Sequence, residues 1–382
     1  MATATDRKRA APDTTSHFSS AQKQSLRRRL LAWYADHARD LPWRKSRDPY
    51  RVWISEIMLQ QTQVATVRDY FTRFVKAFPT VDKLAAADET TVLRLWEGLG
   101  YYRRARQLHA AAQQVVALHA GEFPHDTTEL QSLPGVGRYT AGAIASIAFD
   151  QRAPILEANT IRLFSRLIAH RGEAASAAGQ RTLWQVAEQI LPKQNCSEFN
   201  QALMEVGSLV CTPVDPKCDV CPLAGICEAK RTGLQNEIPL AKPRQVFTEL
   251  REAAVIVRKN GSVLMRQCGP GERWAGLWDF PRFEVDATGL LFAKKEIAEK
   301  VAQQTGITCD PGALLKTMRH GVTRYRITLD CYEAAFVSGR VKSDADPAVT
   351  WLSPTALASL PLSTTGRKIV ALATRSRKEI VD

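Results

Sequence analysis

A chain of 382 residues, 45% hydrophobic and 24% charged, is too long for one ordinary core and suits two globular domains with tails. Its net charge of +13 attracts polyanions, nucleic acid foremost. Eight cysteines are too few for a disulfide scaffold at this length, and no apolar run approaches the roughly 18 residues of a membrane span.

Residues 1–20, MATATDRKRAAPDTTSHFSS, carry basic residues with no apolar core behind them, which argues against a secretory signal and predicts a disordered tail. From about Gln22 to Ala229 apolar residues recur three and four apart and strand-like alternation is nearly absent, so residues 21–230 read as an all-α domain. The stretch Asp48–Phe78 reads as helical, with Asp48-Pro49 as its start signal. Further helices are expected at Glu89–Trp96, Tyr102–His119 and Gln180–Leu191.

Glu56 stands in VWISEIMLQQ, among Val52, Trp53, Ile54, Ile57, Met58 and Leu59. On the solvent face of its helix it is an ordinary surface carboxylate. Held among those neighbours, its charged form loses hydration and its pKa climbs from about 4.3 toward roughly 6. That is the setting of a general acid at neutral pH.

In LPGVGRYTAGAIASIAF, Leu133–Phe149, Gly135 and Gly137 flank Val136 just before an apolar helix. Glycines there permit a tight turn, and the N–H groups of the helix start make an anion site. Such a hairpin grips phosphate through backbone donors and reads no base.

Cys211, Cys218, Cys221 and Cys227 follow the spacing C-x6-C-x2-C-x5-C, with Pro213, Pro216 and Pro222 stiffening the loop. Four thiolates so placed close around zinc or a [4Fe–4S] cluster, and the chemistry alone leaves both open. Either way no coordination position is left over, which favours a structural or DNA-docking role over a catalytic one. The other cysteines, Cys196, Cys268, Cys309 and Cys331, are scattered and expected to be reduced.

Around Lys230–Arg251 the pattern becomes polar, Pro-containing and aperiodic, and residues 231–248 read as a linker. Beyond it AAVIVRKNGSVLMRQ is β-branched on both sides of Asn260-Gly261, a strong hairpin signal. Arg324–Val337 reads as a strand and Ala293–Gln304 as a helix, so residues 249–382 are expected to form a smaller α/β domain.

LPW at Leu41–Trp43, DPYRVWISEIMLQQTQVATV from Asp48, GLGYYRRARQL at Gly98–Leu108, the glycine hairpin and the cysteine loop together resemble the MutY family of adenine DNA glycosylases. The resemblance runs from about Gln22 onward. It implies an all-α helix-hairpin-helix glycosylase domain with a [4Fe–4S] cluster loop, followed by an α/β Nudix-like domain. The implied activity is monofunctional release of adenine mispaired with 8-oxoguanine or guanine in double-stranded DNA.

By that resemblance Glu56 protonates adenine at N7. The family's second carboxylate, in ILDGNV, stabilises the oxocarbenium-like sugar; here the segment reads ILEANT, so the role falls to Glu157, followed by Asn159. Arg39, Trp43, Leu59 and Gln201 are implied to hold adenine. Gln61 and Tyr101 are implied to enter the duplex near the opposing base, with Thr62 and Leu99 beside it. Bifunctional endonuclease III-type relatives carry a Schiff-base lysine two residues after the hairpin's last glycine. Tyr139 stands there in this chain, and a phenol forms no iminium, so strand cleavage by that route is not expected.

GLWDFP at Gly276–Pro281 and QTGI at Gln304–Ile307 resemble the Nudix fold. Glu299, Lys300, Gln303 and Gln304 stand where its box needs Arg and three Glu, too few hard anionic ligands for Mg²⁺. The domain is therefore expected to read 8-oxoguanine rather than hydrolyse nucleotides, through His320-Gly321-Val322-Thr323-Arg324, where Thr323 keeps the hydroxyl of the family's F-S-H segment. A catalytically silent DNA-binding protein would lack Glu56 or the carboxylate near Asn159, and both are present. The resemblance implies an intracellular, DNA-associated monomer.

Overall fold

Phe18 is buried against Leu26 and Leu30, so the ordered chain begins inside the stretch expected to be a tail. Residues 1–15 of that tail lie outside the described residues. The computed structural model describes residues 16–240, 246–286, 290–341 and 347–374. A capping box, with Ser19 and Gln22 exchanging hydrogen bonds, opens α1 (Ser20–His37). Then follow α2 (Pro49–Leu59), α3 (Val64–Ala77), α4 (Val81–Ala85), α5 (Glu89–Trp96) and α6 (Arg103–His119).

The continuous helix expected over Asp48–Phe78 is broken at residues 60–63. Gln60-Gln61-Thr62-Gln63 offers no apolar side chain to bury, and Gln61 turns into left-handed backbone (φ 56°). The apolar spacing on both sides hid this interruption.

The remaining helices are α7 (Thr127–Ser132), α8 (Arg138–Phe149), α9 (Ala158–Leu167), α10 (Ala177–Ile190), α11 (Cys196–Leu209) and α12 (Glu228–Arg231). The C-terminal part is β1 (Thr248–Lys259), β2 (Ser262–Gln267), β3 (Trp278–Asp279), β4 (Arg282–Glu284), α13 (Leu290–Thr305), β5 (Ile307–Val322), β6 (Tyr325–Gly339), β7 (Val349–Leu352) and α14 (Thr364–Ala373).

The chain divides into two compact units, one built from residues up to Ile57 and from Phe123–Lys242, the other from Met58–Glu122 and residues from Pro243 on. In the first unit, Leu163 and Phe164 of α9, Leu183 and Val186 of α10, and Phe199 and Leu203 of α11 form one core with α1. Gly142 lets α8 pass close to the segment that follows it, since a Cβ there would meet the Pro154 carbonyl at 2.4 Å.

In the second unit the strand order is β3-β2-β1-β6-β5, with β4 also pairing β1 and β7 pairing β2. β1 and β6 are parallel while the other pairs are antiparallel, so the sheet is mixed. Alternation along β1 splits its side chains between two cores. Ala253, Val255 and Val257 pack with Ile297 and Val301 of α13; Ala254 and Ile256 pack with Ile369 and Val370 of α14. The Asn260-Gly261 hairpin forms between β1 and β2, both residues at positive φ as a type I′ turn requires.

This division groups α3–α6 with the sheet. Arg367 of α14 holds both oxygens of Glu97 at 2.8 Å, and the Tyr102 hydroxyl donates to the Leu362 carbonyl at 3.1 Å. Part of the expected linker is also ordered: Ile238 is buried and its carbonyl accepts from Arg166 at 2.8 Å.

Candidate active site

Within the first unit the apolar face of α2 carries Glu56 inward, where it is 5% exposed. The solvent-face alternative is thereby excluded. Tyr139, in the first turn of α8, donates its hydroxyl to Glu56 Oε2 at 2.5 Å and lies 3.5 Å from Met204 Sδ. Burial pushes the Glu56 carboxyl up to about 7; the nearby Glu157 adds to the rise, and the Tyr139 hydrogen bond opposes it. Burial also drives the Tyr139 phenol well above its usual range, so at neutral pH it remains a donor.

Glu157 is the N-cap of α9. Its Oε2 accepts from Asn159 N at 2.8 Å and Asn159 Nδ2 at 3.1 Å, and its Oε1 from Thr160 N at 2.9 Å; Thr160 returns a hydroxyl acceptor to Glu157 N. Burial raises its carboxyl above the usual range, while these donors and the Arg162 charge oppose the rise. Asn159 is wedged against α11 at Gly207, where a Cβ would come within 2.7 Å of the Asn159 Cβ. Arg162 donates to Asn159 Oδ1 at 3.0 Å and to the Cys211 carbonyl at 2.6 Å, so hydrogen bonds run unbroken from the cysteine loop to Glu157.

A third carboxylate was missed by the sequence reading. Glu205 on α11 is fully buried and accepts from Arg39 Nε, Nη2 and backbone N and from Arg44 Nη2, at 2.8–2.9 Å. Burial alone would raise its carboxyl, but the two guanidiniums hold it down at about 2. Its signal in the sequence was the same as that of Glu56, a glutamate in the apolar stretch ALMEVGSL. Arg39, expected at adenine, is thus first a partner of Glu205. Gln201 accepts from the Tyr34 hydroxyl at 3.2 Å and donates to Ser197 Oγ at 3.3 Å. Trp43 is buried in the short turn Pro42–Arg44, and Leu59 closes α2 half-buried.

Gly135 adopts left-handed backbone (φ 78°), and Gly137 caps α8 with no side-chain hydrogen bond. All four loop cysteines line one pocket with Leu163, Leu223 and Arg166, whose Nη1 lies 3.2 Å from Cys211 Sγ. Among the described residues no three His, Cys, Asp or Glu side chains close on a single ion. Four thiols lining one pocket supply one ligand for each iron of a four-iron cluster.

In the second unit, Gln61 is exposed, Tyr101 is 50% exposed at φ 48°, Leu99 is buried and Thr62 is half-buried. Thr323 is exposed at the turn between β5 and β6 (φ 53°). His320 is half-buried, 3.2 Å from Arg282 Nη2, and burial pushes its imidazole down to about 4. On α13, Glu299 pairs with Lys295, Lys300 with Glu296, and Gln304 donates to the Arg282 carbonyl.

Family models match three parts of the chain: the HhH-GPD superfamily of base excision DNA repair proteins over residues 54–189, the iron–sulfur binding domain of endonuclease III over 211–227, and a NUDIX domain over 252–372. The adenine DNA glycosylase of Rattus norvegicus is 34% identical across 91% of this chain and 78% of its own length. That of Buchnera aphidicola from Schizaphis graminum is 36% identical across 70% of this chain and 77% of its own. The chain belongs to the adenine DNA glycosylase family.

The human adenine DNA glycosylase is 38% identical to this glycosylase, which spans 54% of the human protein's length. Among solved structures, a thermostable thymine-DNA glycosylase aligns with 56% of this chain and 98% of its own, at 28% identity and a TM-score of 0.51. The cysteine loop of this glycosylase is the iron–sulfur loop of the endonuclease III superfamily, matched over residues 211–227, and its cofactor is a [4Fe–4S] cluster. The fold is a helix-hairpin-helix glycosylase domain followed by a Nudix-like sheet domain. No helix among the described residues is long and apolar enough to cross a membrane.

Proposed function

We propose that this glycosylase hydrolyses the N-glycosidic bond of adenine mispaired with 8-oxoguanine or guanine in double-stranded DNA, and leaves the strand uncut. The observation that carries the reading is the buried Glu56, protonated near neutrality and paired with Tyr139, in one unit with a second carboxylate, Glu157, that is served by three N–H donors. Two carboxyls in unlike settings divide acid and anion roles.

Glu56 donates its proton to adenine N7, so that the C1′–N9 bonding pair leaves with a neutral base. Positive charge then develops on the sugar, and Glu157, oriented by Asn159, faces it. Water adds its oxygen to C1′ and releases its surplus proton to solvent. Tyr139 holds Glu56 in place and offers no amine, so no Schiff base forms and no strand break follows by that route.

Around this chemistry, Arg39, Trp43, Leu59 and Gln201 border the extruded adenine. The Gly135–Gly137 hairpin takes a backbone phosphate, and Gln61 and Tyr101, with Thr62 and Leu99 beside them, fill the stack that the base leaves. Residues 21–230 form the glycosylase part and 249–382 the reader, with Thr323 at the 8-oxoguanine; the protein acts as a monomer on DNA.

The test is single-turnover adenine release from A:8-oxoG, A:G and A:C duplexes, with and without alkali. Release from the first two, with strand breaks only after alkali, is expected. No release from A:8-oxoG, or breaks without alkali, would overturn the reading.

A further inference from the structure

In the second unit two loops each project a side chain from left-handed backbone. Residues 60–63 join α2 to α3, and residues 97–102 join α5 to α6. Gln61 at φ 56° and Tyr101 at φ 48° both carry a Cβ in the left-handed region, which costs on the order of 1 kcal/mol for each. Such backbone persists only where its surroundings over-determine it.

One side chain supplies that constraint to both loops. Arg104, in the first turn of α6, is 9% exposed. Its Nη1 donates to the carbonyls of Met58 at 3.1 Å and Gln60 at 2.5 Å. Its Nη2 reaches Thr62 Oγ1 at 3.3 Å and the carbonyls of Leu99 at 3.2 Å and Gly100 at 3.3 Å. The guanidinium lies 5.3 Å from the Trp96 ring and 5.5 Å from the Tyr101 ring, and Trp96 Nε1 donates to the same Gly100 carbonyl at 3.1 Å. These five acceptors are neutral, so burying a cation among them carries a desolvation cost that an apolar side chain would avoid. A rigid planar fork does what an apolar side chain and a lysine cannot: it serves carbonyls of two separate loops at fixed angles.

We propose that Arg104 is a positioning residue that fixes the two probing loops as one body, so that Gln61 and Tyr101 enter the duplex together. The proposal rests on the reading of those two side chains as the groups that enter DNA. The effect of Arg104 falls on opening the duplex, not on bond cleavage.

The experiment uses the full chain with its cluster loaded, as wild type, Arg104→Met and Arg104→Lys, each checked for iron content and melting temperature. Without DNA, amide hydrogen exchange is followed at Thr62 and Leu99, whose N–H groups bond to the Leu59 and Trp96 carbonyls. Both loops are expected to lose protection together in Arg104→Met, and also in Arg104→Lys, which keeps the charge and loses the fork. Loss in one loop alone, or a lysine variant identical to wild type, would overturn the proposal.

With DNA, single-turnover adenine release is compared on an A:8-oxoG duplex and on one whose adenine faces an abasic gap, where extrusion costs less. Arg104→Met is expected to slow the first about tenfold and the second less than about threefold. Equal losses on both would mean a general defect and would also overturn the proposal. If wild type releases adenine from neither, the glycosylase reading fails by itself and the exchange arm still decides whether Arg104 couples the loops.

Discussion

Glu56 on α2 and Glu205 on α11 begin alike, as glutamates inside apolar helical stretches, and both end buried in the same unit. Their carboxyls nevertheless stand on opposite sides of the ordinary value, at about 7 and about 2. Burial taxes the charge of both. What differs is the company: a phenol and a second carboxylate around Glu56, two guanidiniums and a backbone N–H around Glu205. Depth alone therefore does not make a proton donor. A buried carboxyl gives its proton away usefully only where no fixed cation has already claimed the charge.

The sharpest way to break this contrast is Glu56→Gln. General acid catalysis is worth 10²–10⁴-fold, so a loss of about a thousandfold in single-turnover adenine release is expected, with duplex affinity kept. Near-normal release would remove Glu56 from the chemistry. Next comes Glu205→Gln, which leaves two guanidiniums facing a neutral amide. A stability loss of about 3 kcal/mol at pH 7 is expected by denaturant unfolding. Because the Glu205 carboxyl is held below its unfolded value of 4.5, its contribution is complete above that pH and fades as pH falls toward about 2. The gap between variant and wild type should therefore close in acid, and a gap independent of pH would count against the clamp.

Glu157→Gln keeps shape and removes charge. It should bind A:8-oxoG normally and lose about a hundredfold in rate, on the order of 3 kcal/mol of transition-state stabilisation. An equal loss in affinity would place its role in binding.

An effect of similar size has the opposite sign to the Glu205 change. The Glu56 carboxyl is raised above 4.5 in the folded state, so ionisation in the unfolded chain makes stability fall as pH rises through the window up to about 7. Glu56→Gln removes that penalty. The inactive variant should match wild type near pH 4 and be more stable by about 3 kcal/mol at pH 8. The smallest expected change is in Tyr139→Phe. The lost hydrogen bond had favoured the ionised Glu56, so the alkaline limb of the rate profile should move up; a downward shift would reverse the assigned role.

Much of this molecule was legible without coordinates wherever the deciding interactions were local. The helix at Glu89–Trp96, the Asn260-Gly261 turn and the four-cysteine loop each depend on residues within a short window. The apolar setting of Glu56 was readable too, since its helix neighbours i±3 and i±4 supply much of it. Other features were set by residues far along the chain. The break after Leu59 is held by Arg104, Arg39 is turned toward Glu205, and Arg162 joins Asn159 to the Cys211 carbonyl. Sequence periodicity determined which residues could be buried here. Only the tertiary structure decided which charges were buried beside a cation and which beside another carboxylate, because charge pairing acts across space and leaves no period in the chain.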